Sequence, residues 1–502
     1  MGLVVRSFNQ HRLSYFLENY YSFGFASATF DLILLCKNLG VLTSYGVLSE
    51  FGLVACLLLV RIGSLNRMFV KNIMKMIMGT SFAQAIPILM TPVFTRLYSP
   101  EDFGKFAIFL SCVSVFVIVS TGRYEQAIIA VESCVNAKRI LIGSVLLSIT
   151  VNSLLAILIV SNVDLLIECL RWSVDERYLL YTIPIAVFLG SVNQFYTSYL
   201  NRKEQYGKIA VVKVANASTL CTTHLFLSHL NVMGLVFGYI AGQVSQLILN
   251  IWHLGDENFG RENFKEAALA LYRNIEYPLF NAPSAVINSI SLHSLPIIMT
   301  YLFNATVTGY FSVAQRLMQL PMRLVGYSVS QVYFRQAATL KDDSKRLVEL
   351  TYWLINRLMI VAFFPFFATL FFGESIFGFV LGQKWSIAGR YASCLFPWLF
   401  VVFVTSPLSN LLITNKRQKE LFIFNVTLLI TRIVTIVFLY ILTKKVEIML
   451  FGLSVVSALS WLSLQFFIFT VIGEAKANVL KKMVYCYAIV AVSIIYLYLR
   501  VI

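Results

Sequence analysis

Acid is scarce in this chain. Asp and Glu number 24 among 502 residues, against 40 Lys and Arg, and charged residues of both signs make up 13%. A soluble domain carries about 25% charged residues, so a water-soluble globule of this length would lack the polar surface to cover itself. Disorder is excluded by the hydrophobic content of 58%, because disordered chains combine low hydrophobicity with high charge. The eight cysteines fall singly, with no pair spaced for a metal or a redox dithiol. The five histidines form no metal-spaced cluster. No phosphate loop or dinucleotide fingerprint occurs. The sequence therefore implies no metal, no cofactor and no catalytic residue.

Long apolar runs are present instead, with a mean hydropathy of +0.77. A helix crossing a bilayer needs about 20 apolar residues. From residue 69 the chain reads as twelve spans: 69–93, 104–121, 140–160, 179–200, 209–229, 231–252, 283–303, 309–334, 350–373, 391–414, 420–441 and 447–472. A further run, 483–500, would make a thirteenth. The runs are too long and too uniformly apolar for alternating barrel strands, so an all-α integral membrane bundle of about 12–14 helices is expected. Residues 1–66 stand apart as an N-terminal extension. Their apolar runs, 25–36 and 46–60, are short and no small-residue cleavage site follows a basic start. One weak span and a misassigned start codon both remain open readings of it.

The excess of basic residues, a net charge of +16, fits cytoplasmic loops better than nucleic acid. With the first core span starting in the cytoplasm, inner loops hold 19 Lys and Arg and outer loops 8. The longest connection, 253–282, then lies inside and separates an N-terminal half, 67–252, from a C-terminal half, 283–472, each of six spans; 473–502 follows as a tail. The halves echo each other. Pro87-Ile88-Leu89-Met90-Thr91 recurs as Pro296-Ile297-Ile298-Met299-Thr300, and Gly104-Lys105-Phe106 as Gly309-Tyr310-Phe311. An even number of spans per half makes the halves parallel, related by a pseudo-two-fold axis along the membrane normal. Such repeats place a binding site between two lobes.

The eighth span carries Ser312, Arg316, Gln319, Arg323, Tyr327 and Gln331 at spacings of 4, 3, 4, 4 and 4, one helical face. The seventh carries Asn281, Ser284, Asn288 and Ser291. Lys75, Lys213, Arg357 and Arg432 are further cations in or near spans. Such groups can glue helices or snorkel, but arginines inside a span normally face a partner or a cavity. No acid sits at the middle of any core span. A cavity lined by arginine and free of carboxylates attracts anions, and the guanidinium fork suits phosphate or diphosphate. Arg316, Arg323, Gln319, Asn288, Lys75 and Arg357 are the candidate substrate-binding residues.

The segment FAQAIPILMTPVFTRLYSPEDFGKFAIF, followed by STGRYEQAII, resembles bacterial polysaccharide flippases of the Wzx type, in the multidrug/oligosaccharidyl-lipid/polysaccharide exporter superfamily. GYFSVAQRLMQLPMRLVGYSVSQVYFRQA and GQKWSIAGRYASCLFPWLFVVFVTSPLSNLL carry the same likeness, which spans about 67–472. The resemblance implies two six-helix lobes with alternating access. It implies a substrate of undecaprenyl diphosphate bearing an O-antigen or capsule repeat unit, moved from the inner to the outer leaflet of the bacterial cytoplasmic membrane. Membrane lipid and other polysaccharide assembly proteins are the implied partners, and nucleic acid is not. Arg96, Glu101, Asp102, Arg123 and Glu125 stand at the family's turn motifs, as gating or structural residues. Ser99-Pro100-Glu101-Asp102 reads as a helix N-cap with acids on its first turn. Two rivals are an antiporter of the same fold, disfavoured by the missing mid-span carboxylate, and a polytopic polymerase, disfavoured by the lack of a large loop bearing acids.

Overall fold

The computed structural model describes residues 82–170, 172–173, 176–254, 264–322, 326, 329–330, 333, 336–337, 340, 343–409, 411–412, 417–474, 478–479 and 484–501. Chain contacts divide Met1–Val70 from Lys71–Ile502, and the described residues all lie in the second unit. The expectations for residues 1–66, for Lys75 and for Arg323 lie outside the described residues.

All the expected core spans with described residues are helical. The N-terminal half begins with Phe82–Leu97 (α1), which has a turn at Met90. It continues with Pro100–Thr121 (α2), Tyr124–Ala130 (α3), Cys134–Ser161 (α4), Val163–Leu170 (α5), Arg177–Arg202 (α6), Tyr206–Phe226 (α7) and Val232–His253 (α8). Phe264–Arg273 (α9) lies in the long connection. The C-terminal half holds Ala282–Leu302 (α10), Ala305–Met318 (α11), Ser344–Leu381 (α12), Ser386–Thr405 (α13), Gln418–Thr443 (α14) and Val446–Val471 (α15). The last helix, Val484–Val501 (α16), coincides with the thirteenth apolar run. Among the described residues, ten helices are long and apolar enough to cross a membrane, and two shorter apolar helical stretches are Phe82–Leu97 and, within α16, Cys486–Leu499.

Local chemistry sets the helix ends. Ser99 caps α2: its Oγ accepts from Asp102 N at 3.1 Å, and the Asp102 carboxylate accepts from Ser99 N at 2.9 Å. This reciprocal box satisfies amides that a helix start leaves orphaned, and Pro100 at the first helical position has no N–H to lose. At the other end of α2 the chain reverses through two left-handed residues, Gly122 (φ 51°) and Arg123 (φ 63°). Glycine takes that region freely, whereas arginine must be held there. Arg202 caps the C-terminus of α3, donating to the carbonyls of Ile129 (3.1 Å), Val131 and Glu132 (2.6 Å).

Within each half one helix is the hub. In the C-terminal half α13 is buried all round from Tyr391 to Thr405, as expected of a helix wrapped by others. In the N-terminal half α6 packs on α2, α4 and α8. Neutral polar groups join these helices: Asn152 donates to Ser120 Oγ (2.8 Å), Asn193 to Gln243 Oε1 (2.9 Å) and Asn216 to Gln246 Oε1 (2.9 Å). Such bonds hold helices together in lipid, where the apolar effect between them vanishes. The connection helix α9 buries Ala267 and Ala270 against α4, with Arg139 pairing Glu266 at 2.5 Å, while Phe264 and Tyr272 are exposed.

The halves meet where α2 lies against α11. A Cβ on Gly104 would fall 1.8 Å from Ala305 O, and one on Gly309 would fall 1.7 Å from Pro100 O. The contact is reciprocal: Pro100 and Gly104 of one half meet Gly309 and Ala305 of the other, at equivalent places in the repeated Gly-x-Phe. Only glycine permits backbones this close. Gly104→Val or Gly309→Val is therefore expected to destabilise the fold by about 1–3 kcal/mol through overpacking. A lowered thermal midpoint of the purified protein checks this, with Gly207→Ala, which meets open space, as the neutral control.

Candidate functional site

Two constellations occupy the junction between the halves. The first is a latch at the end assigned to the outside by loop charge. Thr95 Oγ1 donates to Leu381 O (3.0 Å), and Trp385 Nε1 donates to Thr95 O (2.7 Å); both bonds are buried. Lys384 Nζ donates to Tyr98 O at 2.8 Å. The Phe103 and Trp385 rings meet edge-on at 5.2 Å. Tyr98 OH ties the turn back to its own half, donating to His224 O at 2.6 Å. The TRLYSPEDFG turn of the N-terminal half and the GQKW segment of the C-terminal half are therefore one contact. Arg96 contributes its backbone to it and keeps its side chain exposed. Asp102 is consumed by the cap, and Glu101 pairs with Lys105 at 2.6 Å, so both acids serve the turn.

The second constellation is the polar face of α11. Arg316 is half-buried, and its guanidinium lies within electrostatic reach of Cys221 and His224 on α7, a helix of the opposite half. Cys221 and His224 share a helical face with Lys213 and Ala217, at spacings of 4, 4 and 3. Lys213 has no acidic partner among the described residues. Sequence reasoning had no ground to rank Lys213 above the other intramembrane cations; it lies about two to three turns along α7 from Cys221 and His224. Gln319 is half-buried at the end of α11, one turn from Arg316. Val313, on the far side of α11, is 2% exposed and packs on neighbouring helices.

The other candidates scatter. Asn288 is exposed on α10, on the stripe whose first member, Asn281, reaches Gln126 of the N-terminal half at 3.5 Å. Arg357 is exposed on α12, with its guanidinium 5.9 Å from the Trp353 ring centre, on a helix that packs chiefly against α13. A recess of about 570 Å³ opens between α3 and α6, lined by Val131, Tyr199, Arg202, Lys203 and Tyr206. It is remote in the chain from α11, and Arg202 there is committed to helix capping.

Arg123 and Glu125 form a tight pair outside the spanning helices. Arg123 Nη1 is 3.2 Å from Glu125 Oε1, which also accepts from Gln194 at 3.3 Å. Glu125 is 4% exposed, and its other oxygen has no partner among the described residues. Burial pushes this carboxyl above the usual carboxylate range, opposed by the amides at the start of its own helix and by Arg123.

A family model described as "Polysaccharide biosynthesis protein" matches residues 93–390, more than half of the chain. The chain thus belongs to the polysaccharide biosynthesis protein family, and it is a multi-pass membrane protein with no strands among the described residues. It is similar to the amylovoran biosynthesis protein AmsL of Erwinia amylovora, 24% identical over 40% of this chain and 53% of that protein. It is also similar to the lipopolysaccharide biosynthesis protein WzxC of Escherichia coli K12, 19% identical over 50% of this chain and 51% of that one. The match thus spans about half the length of each. In fold it is like an inward-facing multidrug resistance MATE transporter of the MOP superfamily, with a TM-score of 0.64 at 10% identity over 78% of this chain and 94% of that chain. The lipid II flippase MurJ in an inward closed conformation gives 0.62 at 15% identity over 84% and 97%.

Removing Arg123 leaves a buried carboxylate without its cation. Arg123→Ala is expected to lower stability by about 3 kcal/mol, and Glu125→Gln in the same chain to restore much of it, read as thermal midpoints in detergent. The sign with pH follows from the raised carboxyl. This arrangement binds the Glu125 proton more tightly than the unfolded chain does, so its stability falls as pH rises through the folded pKa. Glu125→Gln is expected to flatten that slope.

Proposed function

We propose that this protein is a flippase that carries undecaprenyl-diphosphate-linked oligosaccharide repeat units, of O-antigen or capsule type, across the bacterial cytoplasmic membrane. The observation that carries the reading is Arg316: a guanidinium on a helix of one half, within electrostatic reach of Cys221 and His224 on a helix of the other that also bears Lys213, in spans with no acid at their middle. The guanidinium fork matches a diphosphate, and Lys213 adds a second cation on the opposite half. The family membership supports a role in polysaccharide assembly, and MurJ shares the fold while acting on a lipid-linked saccharide.

The mechanism follows from costs. Moving a charged sugar-phosphate through hydrocarbon costs many kcal/mol, and a wet basic cavity removes much of that barrier while the polyprenyl tail stays in lipid. The halves 67–252 and 283–472 act as lobes that rock about the site. The Thr95–Leu381 and Trp385–Thr95 bonds with the Gly104–Gly309 approach form the outer closure, which opens to release the glycan toward the outer-leaflet assembly proteins. No bond in the substrate is made or broken, so the chain acts as a transporter and not as a polymerase. The absence of mid-span carboxylates speaks against a cation-coupled drug antiporter.

Arg316→Ala and Lys213→Ala are each expected to reduce translocation at least tenfold with insertion unchanged. Arg316→Lys is expected to recover only part, since a point charge does not replace the bidentate fork. A leaflet-specific assay of lipid-linked oligosaccharide in a deletion strain reads this: loss of translocation traps substrate on the inner leaflet. Full activity of both alanine variants would remove the basis of the proposal, and single repeat units accumulating outside would point to a polymerase.

A further inference from the structure

In the N-terminal half, the buried pairs Asn152–Ser120 and Asn250–Asn193 bond one another. In the C-terminal half, α13, α14 and α15 enclose a full positive charge. Arg432 lies near the middle of α14 and is 3% exposed. Its Nε donates to Ser457 Oγ at 3.0 Å, and its guanidinium carbon stands 4.4 Å from the centre of the Trp398 ring. Those are its only polar and ring partners among the described residues.

Among the described residues, no carboxylate is placed to balance it. Neither α13 nor the 421–446 and 448–471 stretches contain Asp or Glu. Glu420 is paired with Arg417 at 2.7 Å, and Glu447 lies 3.8 Å from Arg390. The same three-helix interior holds further groups without partners among the described residues: the indole N–H of Trp398, the indole N–H of Trp461, the Thr405 hydroxyl and both amide atoms of Gln465. Trp398 and Thr405 are seven residues apart on α13, hence on one face. Ser454, Ser457, Trp461 and Gln465 follow one another at spacings of 3, 4 and 4 on the face of α15 that meets α13 and α14.

Among the described residues the seam thus has donors in excess along its length and one cation without a counter-charge. An unpaired charge inside a membrane bundle is costly, and buried donors without acceptors add to the cost. We propose that this seam is an anion site within the C-terminal half, holding a small inorganic anion of the chloride type beside Arg432, separate from the Arg316 site between the halves. A halide suits it because it accepts from the N–H groups of the guanidinium and of the adjoining Trp398 and donates to none. The anion completes the packing of α13 against α14 and α15, so its binding stabilises the folded half.

The test uses the purified full chain at constant ionic strength, with gluconate replaced stepwise by chloride. A saturable rise of a few degrees in the thermal midpoint is expected for the wild type and none for Arg432→Met. Arg432→Lys, which keeps the charge, is expected to retain a weaker rise. Because Arg432→Met removes a buried group and so bears on folding itself, wild-type crystals grown in bromide provide a second reading, with an anomalous peak expected at the Arg432 guanidinium. A midpoint indifferent to chloride, a chloride response that survives in Arg432→Met, or a bromide peak absent from the guanidinium would each overturn the proposal.

Discussion

The tightest glycine contact among the described residues joins two backbones. At Gly104 and Gly309 helices α2 and α11 come together until each leaves no room for a Cβ on the other. Within lipid there is no apolar driving force between helices, so such contacts draw on close van der Waals packing and on polar bonds. The glycine contact supplies the first. The Thr95, Tyr98, Lys384 and Trp385 hydrogen bonds beside it supply the second. Together they decide where the halves touch, and hence on which side of that contact the polar face of α11 lies. A junction without side chains between its backbones also has little to repack if it parts, as the proposed mechanism requires.

Charge is distributed by the same economy of polar groups. Acids stay near helix ends, where they hold the local structure: Asp102 caps α2, Glu101 holds Lys105, and Glu420 holds Arg417. Glu125 is buried, and its pair with Arg123 is fixed by a left-handed arginine that the chain would otherwise avoid. Two of the cations left inside the bundle differ in their surroundings. Arg316 faces the other half, near Cys221 and His224. Arg432 faces the interior of its own half, against Trp398 and Ser457. In the proposed reading the first would serve a substrate that comes and goes, and the second would hold a resident counter-charge.

Much of the fold was legible from apolar length alone. Most boundaries of the core spans were read to within a few residues, because a bilayer imposes one length on every crossing helix. The larger departures are the run 309–334, where α11 ends at Met318, the run 391–414, where α13 ends at Thr405, and α4 and α12, which run past their apolar runs into polar loops. The α2 cap was legible too, because a capping box is a four-residue pattern. The site was legible only in part. The spacing from Ser312 to Gln319 announced a polar face on α11, yet spacing could not say what that face meets. Lys213 went unranked for the same reason. Arg357 was chosen for being a cation near a span, and the packing of α12 leaves it exposed beside Trp353.

By itself the sequence determined the all-helical membrane class of the molecule, the order of its apolar spans, the excess of cations over acids within the bundle, and the repeat that places a glycine at equivalent points of two halves. These follow from local rules: apolar length, helical spacing and turn chemistry need no knowledge of what lies elsewhere. Tertiary structure alone decided that the TRLYSPEDFG turn rests on GQKW, that Gly104 meets Ala305 while Gly309 meets Pro100, and that Arg316 faces α7 while Arg432 faces Trp398. The physical reason is distance along the chain. Those partners lie between about 34 and 290 residues apart, no local pattern couples them, and only the packing of whole helices sets which face of each is turned toward which neighbour.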